Sequence, residues 1–491
     1  MQSLPDLNQL SHSEKDELIR LLWSMVQGQA KQLAALQGQV AELQSRLNKN
    51  SRNSSKPPSS DGLRKPAPKS LRVAGQRPSG GQPDHPGTTL SQVAQPDHTV
   101  VHGVDSRCKM CGGEMGQAQV VQTRQVFDLP AVRYEVTEHQ AMQAVCGCGH
   151  VHTAQFPAGV NASVQYGPRV QAAMVHLNQN HAVSVQRTAA LVQDFFGLAV
   201  SEAAVIKATR AGAEMLEPTV QEIGLAIVRA RTANADESGM RVANQLHWLH
   251  VLATDTLTWM ALHPKRGFEA FESLGLLLQF RGVLVHDGWL AYKALECEHA
   301  LCNQHHLREL THLLEEQGQA WAGDLIHVLT HANHLDNLNC ADGRTPDYAS
   351  EAYQSEVEAL RDLYTAILAH AQTEHPIAAS TGKHGRVKQS AATNLIRRLL
   401  TYSDEVWRFM TQPNVPFTNN LAEQTVRMPK VKQKVSGCFR TTRGGDDYCT
   451  IRSYCATMIK QGANIFESLV SAFQGAPPQP RRAVPSKYLM A

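Results

Sequence analysis

Three acidic residues stand far apart in the chain, at places from which a fold can bring them together. Asp236 lies in Ala-Asp-Glu-Ser-Gly, just before strand-like sequence. Asp287 ends Val-Leu-Val-His-Asp, directly after a short apolar strand. Glu423 lies in Asn-Asn-Leu-Ala-Glu, near the start of a helical segment. Two-metal phosphodiester chemistry needs carboxylates that converge from different elements. They hold two cations ~3.5–4 Å apart, one at the attacking oxygen and one at the leaving oxygen. Hard oxygen ligands suit Mg2+ (or Mn2+). Taken singly the acids are weak signals, because Asp-Gly at a strand end is usually a turn and a helical Glu is usually solvated. Glu237 adjoins Asp236, but neighbours along a strand point to opposite faces, so at most one of them faces a site. Asp446-Asp447 lies in a Gly-rich stretch and reads as a turn, and Asp255 marks a hairpin.

Sulfur forms a second constellation. Cys108-Lys-Met-Cys111 is a CxxC knuckle, and Cys146-Gly-Cys148-Gly-His150 is a tighter pair. Four thiolates in two close pairs can close a tetrahedron around Zn2+. His150 or His152 can replace one thiol, and unpaired buried cysteines are the alternative. Four protein ligands leave no open position, so such a zinc is structural. A third group, Cys302-Asn-Gln-His305, can also bind metal, but no second pair accompanies it. Packing and hydrogen bonding beside the acidic site is the safer reading. Beyond Glu423 come Arg427, Lys430, Lys432 and Lys434. Arg427 and Lys434 share a face with Glu423 if the helix continues past Pro429. Cations there can grip DNA phosphates; the alternative is a solvated basic turn.

These residues need elements to position them. Residues 14–48 read as one long helix with Ile19, Leu22, Val26, Leu33, Leu36, Val40, Leu43 and Leu47 at alternating three- and four-residue steps, a coiled-coil seam that predicts a homodimer or higher oligomer. Residues 49–100 read as a flexible linker. Between Arg46 and Gly81 the basic residues, among them Lys56, Arg64, Lys65, Lys69, Arg72 and Arg77, stand against one acid, Asp61, and suit a polyanion such as DNA. Residues 101–156 read as the zinc-binding module, with strand-like runs at Gln125–Leu129 and Tyr134–Val136. In the helical region 157–230, Val185–Phe196 and Ser201–Met215 flank a short Gly-containing turn in a helix-turn-helix layout, with Ser201 as N-cap. Many ordinary helix pairs look the same. Strands at Arg241–Val242, His247–Ala253, Thr256–His263 and Gly282–His286 follow, then helices, then the helix of Glu423. The reading is an α/β catalytic domain over 231–436 with a helical insertion at about 310–412, and a C-terminal segment over 437–491.

Composition bounds the rest. The 491 residues are 42% hydrophobic with net charge +3 and ten cysteines. Several domains are expected. No apolar run is long enough to span a membrane, and Met1–Leu10 has no signal-like core. A cytoplasmic, nucleoid-associated protein whose cysteines hold metal or stay reduced is the expectation. A Walker-type or dinucleotide loop and a GxSxG elbow are missing from the sequence, which sets aside those enzyme classes.

Read together, these blocks resemble the transposases of the insertion-sequence 66 family, over nearly the whole chain and in the same order. The carriers are Asn53-Ser-Ser-Lys-Pro-Pro-Ser-Ser-Asp-Gly62, the cysteine module, Asp236-Glu-Ser-Gly239, Val285-His-Asp-Gly288 with Ala291-Tyr292, Cys302-Asn-Gln-His-His-Leu-Arg308, Asn419-Asn-Leu-Ala-Glu423, Arg452-Ser-Tyr454 and Lys460-Gln-Gly462. Gln424 departs from the family's pattern, where Arg is expected. The resemblance implies an RNase H-like catalytic core with Asp236, Asp287 and Glu423 as a DDE triad on magnesium. It implies zinc on Cys108, Cys111, Cys146 and Cys148, with Cys302 and His305 beside the triad. DNA contacts fall to Lys56, Arg427, Lys430 and Lys434. Terminal inverted repeats and target DNA are the implied partners, with accessory proteins of the same element. Three rivals are a decayed repeat-binding protein, a nuclease that only hydrolyses, and a scaffold without a DNA role.

Overall fold

The computed structural model describes residues 11–50, 53–54, 90–340, 347–378, 387 and 389–481. Lys56 and most of the expected linker lie outside them. Helix α1 (His12–Asn48) opens on a capping box in which Ser11 Oγ accepts the Glu14 N–H and the Glu14 carboxylate accepts the Ser11 N–H. All eight apolar seam residues named above are exposed along it. At its end Asn48 donates to Glu316 at 2.6 Å, and Asn53 and Ser54 are buried.

The cysteine module holds a short hairpin of β1 (Gln143–Val145) and β2 (Val151–Thr153). The expected strands at Gln125–Leu129 and Tyr134–Val136 do not form. Val126, Leu129 and Val136 are exposed, because the segment has no apolar layer to bury a sheet face against.

Helix α2 (Pro168–Val175) runs into a π-helical turn at His176–Asn180. Helix α3 (Val185–Phe196) ends on Gly197 at φ 70°, and α4 (Glu202–Val228) starts at Ser201, whose hydroxyl accepts the Ala204 N–H. Helix α4 continues past the expected Met215 and through Pro218. Its buried face of Val205, Leu216, Val220, Ile223 and Ile227 joins one core with Ala233, Ala235 and Leu252 of the sheet, and that burial outweighs one lost helical hydrogen bond.

The sheet has the order β5-β4-β3-β6-β7. Strands β3 (Thr232–Val242), β4 (Gln245–Ala253) and β5 (Thr258–His263) form an antiparallel meander. After α5 (Phe268–Leu274) and α6 (Leu276–Gln279), β6 (Val283–His286) pairs parallel with β3, and β7 (Glu298–Leu301) parallel with β6. Strand β3 begins nine residues before the expected Arg241, so Asp236 lies within a strand rather than ahead of one. The run Thr-Ala-Asn-Ala-Asp-Glu-Ser-Gly has weak strand propensity; pairing on both sides compensates.

Helices α7 (Asn303–Gln317), α8 (Ala320–Cys340), α9 (Glu351–Glu374), α10 (Ala391–Thr401) and α11 (Ser403–Thr411) form the insertion. They share their own core around Trp321, Tyr364, Leu368, Ile396 and Trp407. Helix α12 (Asn420–Ser436) returns to the sheet and packs Ala422 and Val426 against Met240, Leu249 and Val251. It runs through Pro429 without ending there.

Helix α13 (Thr442–Lys460) packs on β5 and α4, and α14 (Ile465–Phe473) on α2. Asp446-Asp447 therefore lies in a helix, not in a turn. Gly445 permits the close approach, since a Cβ there would stand 2.6 Å from Leu262 Cδ1. The expected C-terminal segment thus adds two helices to the sheet's packing. Among the described residues no helix is long and apolar enough to cross a membrane.

Candidate active site

Strand register brings the first two acids together. Thr232, Ala233 and Asn234 stand opposite Val283, Leu284 and Val285 on the parallel neighbour. Asp236 lies two residues past the last pair on β3 and Asp287 two past it on the other side, just beyond β6, and the Asp287 charge acts on the Asp236 carboxyl. Asp236 accepts the Glu237 N–H at 2.8 Å. Asp287 accepts the Trp289 N–H at 2.8 Å, closing a tight turn over Gly288 at φ 88°.

Glu423 comes from the first turn of α12, which β3 clasps at both ends. At the start, Asn419 donates to the Ala235 carbonyl at 2.7 Å and accepts from Asn234 at 2.9 Å. Beyond the end, Phe439 exchanges backbone bonds with Arg241 and Ala243. Glu423 faces the start of α7. Its Oε1 lies 3.7 Å from His305 Nδ1 and 3.9 Å from Cys302 Sγ, and its Oε2 lies 3.8 Å from Arg308. Cys302 follows β7, and its N–H donates to the His286 carbonyl at 2.9 Å, next to Asp287.

The electrostatics fit a cation. Burial pushes the Asp236 carboxyl up to about 8, and the neighbouring Glu237, Asp287 and Glu423 charges push in the same direction. Acids crowded this way favour a divalent ion that replaces lost water and cancels repulsion. Glu237 points to the other face, as strand alternation requires. Burial raises its carboxyl to about 7 against the Tyr292 hydroxyl and Arg266. Arg266 lies 3.4 Å from it and stacks between Trp248 and Trp289, at 4.9 and 4.2 Å from the ring centres.

The predicted cations divide. Arg427 and Lys434 are exposed on α12. Lys430 instead turns inward and donates to the Gly239 carbonyl, with burial lowering its ammonium against the pull of Asp236. Lys432 is buried on the Asn178 carbonyl at 2.8 Å. Lys430 thus lies half-buried on the helix face turned to β3, whereas Arg427 and Lys434 lie on the exposed one. Asn419, Arg308 and Arg266 were not assigned from sequence. Asn419 and Arg308 stood inside recognisable blocks, whereas Arg266 gave no signal.

The cysteine knuckles have matching turns. Gly112 and Gly149, both at positive φ, donate backbone N–H groups to the Cys108 and Cys146 carbonyls at 2.9 Å. The Met110 and Cys111 amides face the Cys108 sulfur and lower its thiol, an arrangement suited to a metal thiolate. The Cys146 and Cys148 sulfurs lie side by side at the start of the hairpin turn.

Among known families, residues 163–447 match the transposase IS66 family and residues 105–149 match the zinc-finger binding domain of transposase IS66. Residues 2–91 match a family of unknown function. No curated protein matches the chain. A mixed α/β fold and a match over more than half its length define the class: the chain belongs to the transposase IS66 family. It is a DNA-binding transposase with a zinc-finger domain.

Proposed function

We propose that the chain is a DDE-type transposase that binds the terminal inverted repeats of an insertion sequence, cleaves DNA and joins its ends to target DNA. The observation that carries this reading is the Asp287 and Glu423 charges acting on the buried Asp236, from the turn after β6 and from a clasped helix. The strand order supports an RNase H-like core, with a three-stranded meander flanked by two parallel strands. Bound to the three carboxylates, two Mg2+ or Mn2+ ions would activate the attacking oxygen and stabilise the leaving oxygen.

The chain's own residues supply position and charge. Asp236, Asp287 and Glu423 would together hold the cations, which would supply the Lewis-acid chemistry. Lys430 tempers the negative charge from behind β3, and Arg308 attends the outer oxygen of Glu423. Arg427 and Lys434 are free to meet phosphates on the exposed side of α12. Cys108, Cys111, Cys146 and Cys148, when reduced, would hold structural zinc in an end-binding module. Lys56 and the other linker cations add phosphate contacts. The α3–α4 pair has the layout to read DNA. Helix α1 would pair two subunits, so that two transposon ends are held together.

Strand transfer tests this. A pre-cleaved transposon-end duplex and supercoiled plasmid are incubated with the protein in Mg2+ or in EDTA, with Asp287→Asn alongside. Joined product in Mg2+ alone, and none from the variant, is expected. Equal joining by Asp287→Asn overturns the triad. End binding that persists without joining, even with the element's accessory proteins, favours a decayed binding protein.

A further inference from the structure

The triad reading leaves Cys302 and His305 without a task. Cys302 is 1% exposed at the N-cap of α7. Its sulfur accepts the Asn419 N–H at 3.1 Å, and the Gln304 and His305 amides also face it. These three amides favour a thiolate, whereas burial and the Glu423 charge push the thiol of the cation-free site up to about 12, so a cation is needed to complete the sulfur's charge. His305 lies three residues on, on the same helix face. Its buried Nδ1 has no hydrogen-bond partner. His306, by contrast, turns into the insertion core and is satisfied by Asn303 at 3.1 Å.

The spacing distinguishes hydrogen bonding from metal binding. The ligand atoms of Cys302, His305 and Glu423 all lie within 4.8 Å of one another. The 3.7 and 3.9 Å separations from Glu423 Oε1 are too long for good hydrogen bonds. Two ligands at about 2.0–2.3 Å from a tetrahedral ion stand roughly 3.3–3.5 Å apart, a few tenths of an ångström from these values. One thiolate, one neutral imidazole and one carboxylate balance a divalent charge and leave one tetrahedral position open. Sulfur and imidazole select Zn2+ over Mg2+.

We propose that Cys302, His305 and Glu423 form a second zinc site, separate from the finger, which engages Glu423 and so competes with hard cations at Asp236 and Asp287. The competition rests on Glu423 being the third acid of the triad; the zinc site itself does not. Zinc at the catalytic centre then withdraws a carboxylate that Mg2+ requires, and zinc and magnesium antagonise each other there.

The test counts metal. The full-length chain is purified under reducing conditions, stripped and titrated with Zn2+, beside Cys302→Ser and His305→Gln. Wild type is expected to take one equivalent more than either variant, and the finger's share cancels in the comparison. The same difference should appear as thiolate-to-metal absorption on titration with Co2+. Equal equivalents in all three proteins overturn the site. If Cys302→Ser does not fold, as judged by circular dichroism, His305→Gln decides the count by the same two outcomes. Glu423→Gln separates this proposal from the triad. Loss of the extra equivalent with strand transfer retained keeps the zinc site and removes the triad. Loss of strand transfer with the equivalent retained keeps the triad and overturns Glu423 as a zinc ligand.

Discussion

Asp236 makes the fold sensitive to pH when no cation is bound. Its carboxyl is held at about 8 in the native chain, against an ordinary value of about 4 once unfolded. Between those values the native state keeps a proton that the unfolded state releases, so stability is lost as pH rises from about 4 through about 8. Glu237, at about 7, adds to the loss. The melting temperature of the metal-free protein is expected to fall across that window, to recover with Mg2+ or Mn2+ near the upper end, and to flatten in Asp236→Asn. A level profile in the wild type counts against the buried acid cluster. Asn419 carries a second prediction. Asn419→Ala strips partners from the Asn234 amide and the Ala235 carbonyl, at a cost of about 2–4 kcal/mol. Glu423 loses its anchor with it. Thermal melts should show the destabilisation, and strand transfer should drop by more than DNA binding does; unchanged melting sinks this account. Asp236, Asp287 and Glu423 were legible as candidates because each sat in a distinctive block. The task of Asn419 was not, since its partners lie on a strand 185 residues away.

At the scale of elements, the approach of β6 to β3 depends on Gly282. A Cβ there would stand 2.4 Å from the Arg231 carbonyl oxygen and 2.7 Å from that of Ala230, both backbone atoms with little room to move. Gly282→Ala should cost about 2 kcal/mol or more through the forced backbone shift. Because this contact precedes the register of Asp236 and Asp287, it should also reduce joining. Gly267→Ala, which meets open space, serves as the control. Equal melting temperatures for the two variants exclude the close-approach argument. Strand β4 and the start of helix α4 could be read from sequence, since apolar alternation and the Ser201 N-cap mark them locally. Strand β3 could not: its start is small and polar, and its identity comes from the ladders on either side. Helix α13 was hidden for a related reason. Gly-Gly-Asp-Asp reads as a turn until burial against β5 and α4 makes the helix the better state.

For the whole molecule, α1 presents an apolar row that nothing in its own chain covers among the described residues. Such a row is unfavourable in water unless a partner helix buries it. Leu36→Glu with Leu43→Glu is expected to convert an oligomer into a monomer by light scattering, and to abolish complexes holding two DNA ends. Single-end binding should survive, with the main melting transition in place. A wild type that is already monomeric at working concentration overturns the pairing role of α1. What the sequence by itself determined was the family and its zinc finger, through blocks that are local patterns of residue type and spacing; the same patterns proposed the helical seam and the three acids. What only the tertiary structure decided was where separate segments meet: Asp236 beside Asp287, Glu423 against Cys302 and His305, Lys430 turned inward, and the C-terminal helices packed onto the sheet. Those outcomes depend on strand register and on which faces cover one another, and both are settled by contacts between residues distant in the chain.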